Sequence, residues 1–198
     1  MTATLTRPDE PRMARRITDG LDPKTWIIAD TVLVGWHTGA LAGIGWGLLG
    51  CLFAAVIPLA FIRYGIRRGR WADRHVGRRR QRLVVMAFIT VSVATGILVL
   101  RAFGAPQTVT ALIAAMLATL AALLAVTPAW KISVHAAVAS GSVALLAMTY
   151  GPWLLLASPL VAVVGWSRVE LGDHTRAQVL AGAAMGGAVA AATFALVR

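Results

Sequence analysis

The chain has 198 residues, of which 58% are hydrophobic and only 14% are charged, and its mean hydropathy is +0.74. A soluble domain of this length would not hold so many apolar residues in such long blocks, so we expect an integral membrane protein. The net charge of +11 is concentrated beside the apolar runs, which favours membrane lipids as partners over nucleic acid.

The N-terminal part of the chain is polar and differs in composition from everything that follows. Residues 1–24 hold three prolines and charges of both signs, which predict a flexible tail ending in a basic membrane-surface segment. Residues 25–198 are predicted to form one transmembrane helical domain, because no second change of composition and no internal repeat follows.

Long apolar runs predict an all-α fold, a polytopic transmembrane helix bundle with six clear spans. A seventh candidate, residues 26–37, is shorter than the roughly 20 residues that a crossing helix needs, and Asp30 interrupts it. This segment is either a surface helix or a crossing helix that begins earlier, near Leu21. The six clear spans lie at about 41–62, 83–103, 108–128, 132–150, 152–166 and 177–197.

Glycines within two of these spans predict close helix packing. Small residues let helix backbones approach each other in lipid, so both groups are candidate contact lines. The groups are Gly43, Gly45 and Gly47 in one span and Gly182, Gly186 and Gly187 in the other.

The polar connections at 63–82, 128–131 and 167–176 each follow an odd-numbered clear span and therefore share one face, called the motif face below. It holds twelve arginines and lysines, against two on the opposite face. The five basic residues of the tail belong to the motif face only if 26–37 crosses. The positive-inside rule predicts a cytoplasmic motif face in either case, and we expect a prokaryotic plasma membrane.

The last polar connection runs from Ser167 to Arg176 and holds five ionisable residues, which are Arg168, Glu170, Asp173, His174 and Arg176. Arg168 precedes His174 by six residues. This pair suits phosphate chemistry, because an arginine can hold the anion while a histidine attacks it or moves a proton. The alternative interpretation is a polar loop with an interfacial arginine and a solvated histidine.

A second polar cluster stands at the start of the fourth clear span and contains Lys131, Ser133 and His135. A helix N-terminus offers free N–H groups and the positive end of the helix dipole, so the cluster is a candidate phosphate site. The alternative is a serine and a histidine that cap a helix at the interface.

The longest polar connection is strongly basic and ends at Arg82. Most of its arginines are predicted only to set the topology of a cytoplasmic loop. Arg78 and Arg82 stand next to the following span, and they are the candidates to enter a site there.

Taken in order, these clusters resemble the type-2 phosphatidic acid phosphatase family, which is related to the vanadium haloperoxidases. The family motifs are Lys-x6-Arg-Pro, Pro-Ser-Gly-His and Ser-Arg-x5-His-x3-Asp. The third is matched by Ser167, Arg168 and His174 with the spacing intact. The second keeps Ser133 and His135 but lacks the proline and the glycine.

Two departures from the family pattern concern the first motif and the end of the third. His75 stands at the lysine position if Arg82 is the arginine, and Leu83 replaces the proline. Gln178 replaces the aspartate that orients the nucleophilic histidine, and Asp173 is the other candidate for that orienting role. An amide can fix an imidazole tautomer, but it cannot stabilise an imidazolium as a carboxylate does.

The resemblance implies a phosphatase that hydrolyses a phosphate ester or diphosphate of a lipid or isoprenoid, with no metal or other cofactor. His174 would form a phosphohistidine, and His135 would protonate the leaving oxygen. The implied phosphate-binding residues are Arg168, Ser133, Arg82, Arg78 and Lys131. The alternative is a non-catalytic relative that binds lipid phosphates or acts as a membrane scaffold. Polar residues are too sparse within the spans to indicate an ion path.

Overall fold

The computed structural model describes residues 11–70 and 79–198, apart from the side chains of Arg79, Arg80 and Arg82. All regular elements in these two ranges are helical, which confirms the all-α prediction. A π-helical turn, Leu52–Val56, joins α2 to α3, and a 3-10 helix, Pro152–Ala157, leads into α7. The α-helices are α1 (Arg12–Gly20), α2 (Pro23–Cys51), α3 (Ile57–Arg67), α4 (Arg79–Ala102), α5 (Gln107–Val126), α6 (Val134–Tyr150), α7 (Ser158–Glu170) and α8 (Arg176–Val197).

Five helical segments of the described chain are long and apolar enough to cross a membrane, so this is an integral membrane protein. The sequence predicted six clear spans, and this count is not confirmed, because helix α6 has 17 residues and is too short to be counted. The predicted span at 41–62 lies within the first candidate, Arg12–Arg67, which includes α1, α2 and α3. The other four candidates are Leu83–Ala102, Gln107–Val126, Pro152–Glu170 and Arg176–Val197.

Helix α2 doubles back on itself at Gly39 and Ala40, where the backbone leaves helical geometry and Ala40 takes a φ of 49°. In a straight helix Gly35 and Gly43 would stand about 12 Å apart along the axis. Instead, a Cβ built on Gly35 would lie 2.5 Å from the carbonyl oxygen of Gly43. The two arms of α2 therefore pack against each other as an antiparallel hairpin, and residues 26–37 belong to its first arm.

Helix α1 forms within the segment that the sequence predicted to be flexible. Ala14 and Thr18 are both fully buried, and α1 packs along α7. Arg12, Met13 and Arg16, on its other side, are exposed. The spacing of four residues puts Ala14 and Thr18 on one face, so α1 is an amphipathic helix laid on the bundle.

Helices α6 and α8 make the closest backbone contact that brings the motifs together. A Cβ on Gly182 would lie 2.5 Å from the carbonyl oxygen of Ser133, and one on Gly186 would overlap the backbone of Ala137. Because 133 meets 182 and 137 meets 186, the two helices run parallel, with α7 as the return between them. The start of α6, with Ser133 and His135, therefore lies beside the start of α8, which follows His174.

Candidate functional site

Ser167 and Arg168 lie in the last turn of α7, whereas the sequence predicted a loop from residue 167 onwards. Helix α7 continues to Glu170, and both side chains are buried, Ser167 fully and Arg168 to 4% exposure. The helix then ends in a tight turn, where the Arg168 carbonyl accepts hydrogen bonds from the backbone N–H groups of Asp173 and His174. This turn folds Asp173 back over the end of α7.

Arg168 is held by an ion pair and by a chain of hydroxyl groups. Its Nη2 lies 2.7 Å from Asp173 Oδ2, and its Nη1 donates to Thr18 Oγ1 at 3.5 Å. Thr18 Oγ1 lies 3.0 Å from Ser167 Oγ, which itself donates to the Val164 carbonyl at 2.7 Å. Since each hydroxyl has one proton, Thr18 must donate to Ser167. These partners explain why Arg168 can be buried at the end of an apolar helix.

The side chain of His174 is oriented through its Nδ1 atom. Nδ1 lies 3.3 Å from the Lys131 carbonyl oxygen and 3.3 Å from Gln178 Oε1. Gln178 Oε1 also accepts from the Thr175 backbone N–H at 3.0 Å, which identifies that atom as the oxygen of the amide. Both neighbours of Nδ1 are therefore acceptors, so Nδ1 holds the proton and Nε2 keeps the lone pair.

The same surroundings keep His174 neutral. Burial is the main cause that lowers the pKa of His174 from the usual 6.5 to about 4, and the positive charges of Lys131 and Arg168 act in the same direction. The hydrogen bonds to Lys131 and Gln178 oppose this shift without reversing it. At neutral pH the site therefore presents an unprotonated Nε2 close to two cations, which is the state that a nucleophile or a general base requires.

The second motif begins α6, and its serine is used as the helix cap. Ser133 is fully buried, and its Oγ accepts from the Ala136 backbone N–H at 3.4 Å. Its own backbone N–H donates to the Gln178 carbonyl at 3.3 Å, which ties the start of α6 to the start of α8. His135 is 9% exposed in the first turn of α6. The capping interpretation of Ser133 thus describes what its hydroxyl does in this structure.

Lys131 joins the two motifs from the connection before α6. Its Nζ donates to the Asp173 carbonyl oxygen at 2.6 Å, while its own carbonyl faces His174. Lys131 is exposed and Arg168 is buried, so the two cations beside His174 differ in their access to solvent. Both orienting candidates, Gln178 and Asp173, lie in this cluster, but only Gln178 hydrogen-bonds the imidazole.

The first motif falls largely on residues whose side chains are not described. Arg78 and His75 lie outside the described residues, and Arg82 stands in the first turn of α4 with its side chain undescribed. Met86, one turn further, packs with Leu123 and Ile132. Helix α4 therefore begins at the same end of the bundle as the second motif.

Two residues of the cluster were not singled out in the sequence. Thr18 contacts both Ser167 and Arg168 from α1, and only its spacing from Ala14 on an amphipathic segment hinted at burial. Thr175 caps α8 in a capping box with Gln178, in which each side chain accepts from the other's backbone N–H. The pattern of a threonine followed three residues later by a glutamine is a recognised helix-start signal.

The cluster combines an oriented neutral histidine, two cations and a carboxylate, which suits phosphate binding better than metal binding. Among residues 11–70 and 79–198, no group of three or more histidine, cysteine or acidic side chains is arranged to hold a metal ion. The chain matches no protein-family model, no curated protein and no solved structure.

Proposed function

We propose that the chain is an integral membrane phosphatase that hydrolyses a phosphate ester or diphosphate of a lipid or isoprenoid through a phosphohistidine. The proposal rests on one observation above all. Lys131 and Gln178 both accept from Nδ1 of His174, so the lone pair of a neutral imidazole is on Nε2. A histidine held in this tautomer can attack phosphorus without first losing a proton.

In the proposed reaction, Nε2 of His174 forms a bond to phosphorus while the bond from phosphorus to the lipid oxygen breaks. His135 gives a proton to the leaving oxygen, which departs as the lipid alcohol. Water then gives a proton to His135 and attacks the phosphohistidine, and the bond from phosphorus to Nε2 breaks. Inorganic phosphate leaves, His174 returns to the neutral imidazole and His135 regains its proton. Lys131 and Arg168 offset the negative charge that builds on the phosphoryl oxygens during both steps.

Arg168 has capacity for an anion even though Asp173 already pairs with it. The ion pair occupies Nη2 and the Thr18 hydroxyl occupies Nη1, whereas the buried Nε has no hydrogen-bond partner among the described residues. We propose that a phosphate displaces Asp173 from the guanidinium or shares it. We also propose Ser133, Arg78 and Arg82 as phosphate ligands, in addition to Lys131 and Arg168.

A lipid substrate suits the position of the cluster. Trp166 and Trp130 are 44% and 41% exposed beside the two motifs. Exposed tryptophans next to apolar helices are typical of the boundary between head groups and acyl chains. A phosphate at His174 would therefore lie at head-group depth, with its apolar tail free to remain among the helices or in the bilayer.

A second function is a non-catalytic membrane protein that binds lipid phosphates or acts as a scaffold. Gln178 is the observation that favours it, because an amide at the orienting position cannot stabilise the positive charge that the imidazole gains when Nε2 bonds to phosphorus. The closed Arg168–Asp173 ion pair also suits slow exchange of a bound anion better than turnover.

The deciding experiment is phosphate release by purified protein in EDTA over a panel of phosphatidate, prenyl phosphates and prenyl diphosphates. We expect release that is lost in His174→Ala and kept in His37→Ala, which changes a histidine in edge-to-face contact with Tyr150 at the other end of the bundle. Binding of these lipids without release, in folded protein, would favour the non-catalytic function. If the folded protein neither releases phosphate nor binds these lipids, both proposed functions are overturned.

We also propose that the motif face is cytoplasmic and that the protein belongs to a prokaryotic plasma membrane, on the distribution of arginine and lysine alone. Ala129→Cys and Ala102→Cys place a thiol at exposed positions before α6 and at the end of α4. Each cysteine is introduced into a variant of the protein in which Cys51 is replaced. In intact cells, a membrane-impermeant thiol reagent should label position 102 and not position 129. The reverse pattern would refute a cytoplasmic motif face.

A further inference from the structure

Asp30 is a buried acid on the first arm of α2, remote from the motif residues in sequence. Its side chain is 1% exposed, and Oδ2 accepts from Ser142 Oγ at 2.6 Å. Its other oxygen, Oδ1, is also buried and has no hydrogen-bond partner among the described residues. A buried polar atom without a partner costs about 1–3 kcal/mol, and an acid within a membrane helix indicates a functional site by default.

Asp30 lines a partly open cavity of about 150 Å³ between α2, α4, α5, α6 and α8. The polar residues in its wall are Asp30, Thr119 and Ser142, and all the others are apolar. Thr119 donates its hydroxyl proton to the Ala115 carbonyl at 2.9 Å, and Ser142 donates its proton to Asp30. A cavity of this size accommodates a body of roughly six carbon atoms.

Water alone is a poor occupant of this cavity. A buried water molecule is held by about three hydrogen bonds, while the wall offers Oδ1 of Asp30 and few other open positions. An alcohol fits both the carboxylate of Asp30 and the apolar wall of the cavity. Its hydroxyl group donates to an ionised carboxylate and accepts from a protonated one, so it serves Asp30 in either state. Its carbon chain covers the apolar wall.

We propose that this cavity binds the hydroxyl end of an aliphatic or prenyl alcohol, with the hydroxyl group on Oδ1 of Asp30. None of the proposed phosphatase residues lines the cavity. The alcohol site therefore stands whether or not the chain is a phosphatase, and variants at Asp30 test it separately from His174.

The probe is a linear alcohol of about six carbons that bears a photoreactive diazirine, used on the full chain in lipid nanodiscs. We expect saturable labelling of residues that line the cavity, protected by unlabelled hexanol and not by hexane. Asp30→Leu should raise the half-saturating concentration at least tenfold, because it removes the hydrogen-bonding oxygen. Asp30→Asn should retain binding, because its amide still accepts from Ser142 and offers a donor to the alcohol.

A matched pair of variants on α5 tests the cavity itself. Ala115→Leu places a larger side chain in the cavity wall, whereas Ala121→Leu makes the same change at an exposed position of the same helix. We expect labelling to be lost in the first and unchanged in the second, with Ala115→Val as a milder substitute if the first does not fold. Labelling that is not saturable, or equal in wild type, Asp30→Leu and Ala115→Leu, would overturn the proposal and leave a packing void.

Discussion

His174 and Gln178 are joined by a contact of 3.3 Å between Nδ1 and Oε1, one turn apart at the start of α8. The capping box fixes the amide, because the Thr175 N–H already donates to the same Oε1 atom. A glutamine that caps a helix thus also selects the tautomer of its neighbour. In this respect the amide does what a carboxylate would do, but it adds no negative charge beside the imidazole.

The first prediction concerns the pH dependence of phosphate release. Because burial and two nearby cations lower the pKa of His174 to about 4, the histidine stays unprotonated well below the usual value of 6.5. Activity should therefore fall in acid with a midpoint between about 4 and 5. The measurement is kcat/KM against pH in mixed buffers of constant ionic strength. An acid midpoint near 6.5 would contradict the buried, cation-flanked histidine.

The same pKa shift has a stability consequence that does not depend on activity. The folded pKa lies below the unfolded one, so the unfolded chain binds more protons between pH 6.5 and 4. Stability from this group is complete above pH 6.5 and is lost as the pH falls towards 4, by at most about 3 kcal/mol. Thermal melts of wild type and His174→Gln at pH 7.5 and 5 should show a smaller acid loss in the variant.

The second prediction is that Gln178→Glu raises the pKa of His174. Glutamate has the length of glutamine and can still accept from Thr175 and from Nδ1, and it adds the missing negative charge. An opposite charge at this distance shifts a pKa by roughly 1–3 units. The imidazole signals in NMR titrations of selectively labelled protein would report the shift. If the chain is a phosphatase, turnover should rise at least severalfold, because the imidazolium is better stabilised.

Gln178→Met is the control for this experiment. It keeps the length of the side chain and removes the acceptor, so Nδ1 retains only the Lys131 carbonyl. We expect a pKa no higher than that of wild type, and slower turnover because the tautomer is less fixed. Equal pKa values in Gln178→Glu and Gln178→Met would show that the contact between residues 174 and 178 does not orient the imidazole.

The helical fold could be predicted because long apolar runs leave few alternatives in a membrane, whereas the reversal of α2 could not. Gly39 and Ala40 follow His37 and Thr38, but residues 32–50 contain no proline, asparagine, aspartate or serine, which mark most turns. The reversal depends on contact between Gly35 and Gly43, which are distant along a regular helix. Gly45, predicted in the same contact line, meets nothing within 4 Å.

The sequence predicted those contacts of the candidate site that join residues of one short segment. It did not predict the contacts between residues of separate segments. Arg168 and His174 stand in one short stretch, so their proximity followed from the sequence. Thr18 reaches Arg168 across 150 positions, and only the packing of α1 on α7 brings the two together. The spacing also gave no sign that Asp173 would turn back to Arg168, since that requires the tight turn at Gly172, whose φ is 68°.

The third prediction is that Asp173→Asn destabilises the fold and that phosphate restores it. The change leaves the buried guanidinium of Arg168 without its ion-pair partner. Because Asp173 is partly exposed, we expect a loss of about 1–3 kcal/mol rather than the full cost of an isolated buried charge. Inorganic phosphate or vanadate that binds Arg168 should raise the Tm of the variant more than that of wild type.

Glu170→Gln is the matched control for that prediction. It removes one negative charge from an exposed side chain at the end of α7, the helix that contains Arg168. Its Tm should stay close to the wild-type value, with no added response to phosphate. A phosphate response as large in Glu170→Gln as in Asp173→Asn would indicate general charge screening and would contradict an anion site at Arg168.

The fourth prediction separates two glycines of α2 that look alike in the sequence. A Cβ on Gly43 would overlap the carbonyl oxygen of Gly35, and the backbone of the facing arm cannot move aside cheaply. Gly43→Ala should therefore destabilise the hairpin by about 1–3 kcal/mol. Gly45→Ala meets open space and should stabilise by up to about 1 kcal/mol, because alanine is the better helix former.

Thermal melts of both variants in the same detergent provide the test, because only the sign of the difference matters. A straight helix through residues 23–51 would leave Gly43 and Gly45 in similar surroundings, and both alanine variants would then gain stability. Opposite signs require that Gly43 faces the other arm, as the reversal at Gly39 and Ala40 demands. The pair thus tests whether the first arm, which holds Asp30, runs antiparallel to the second.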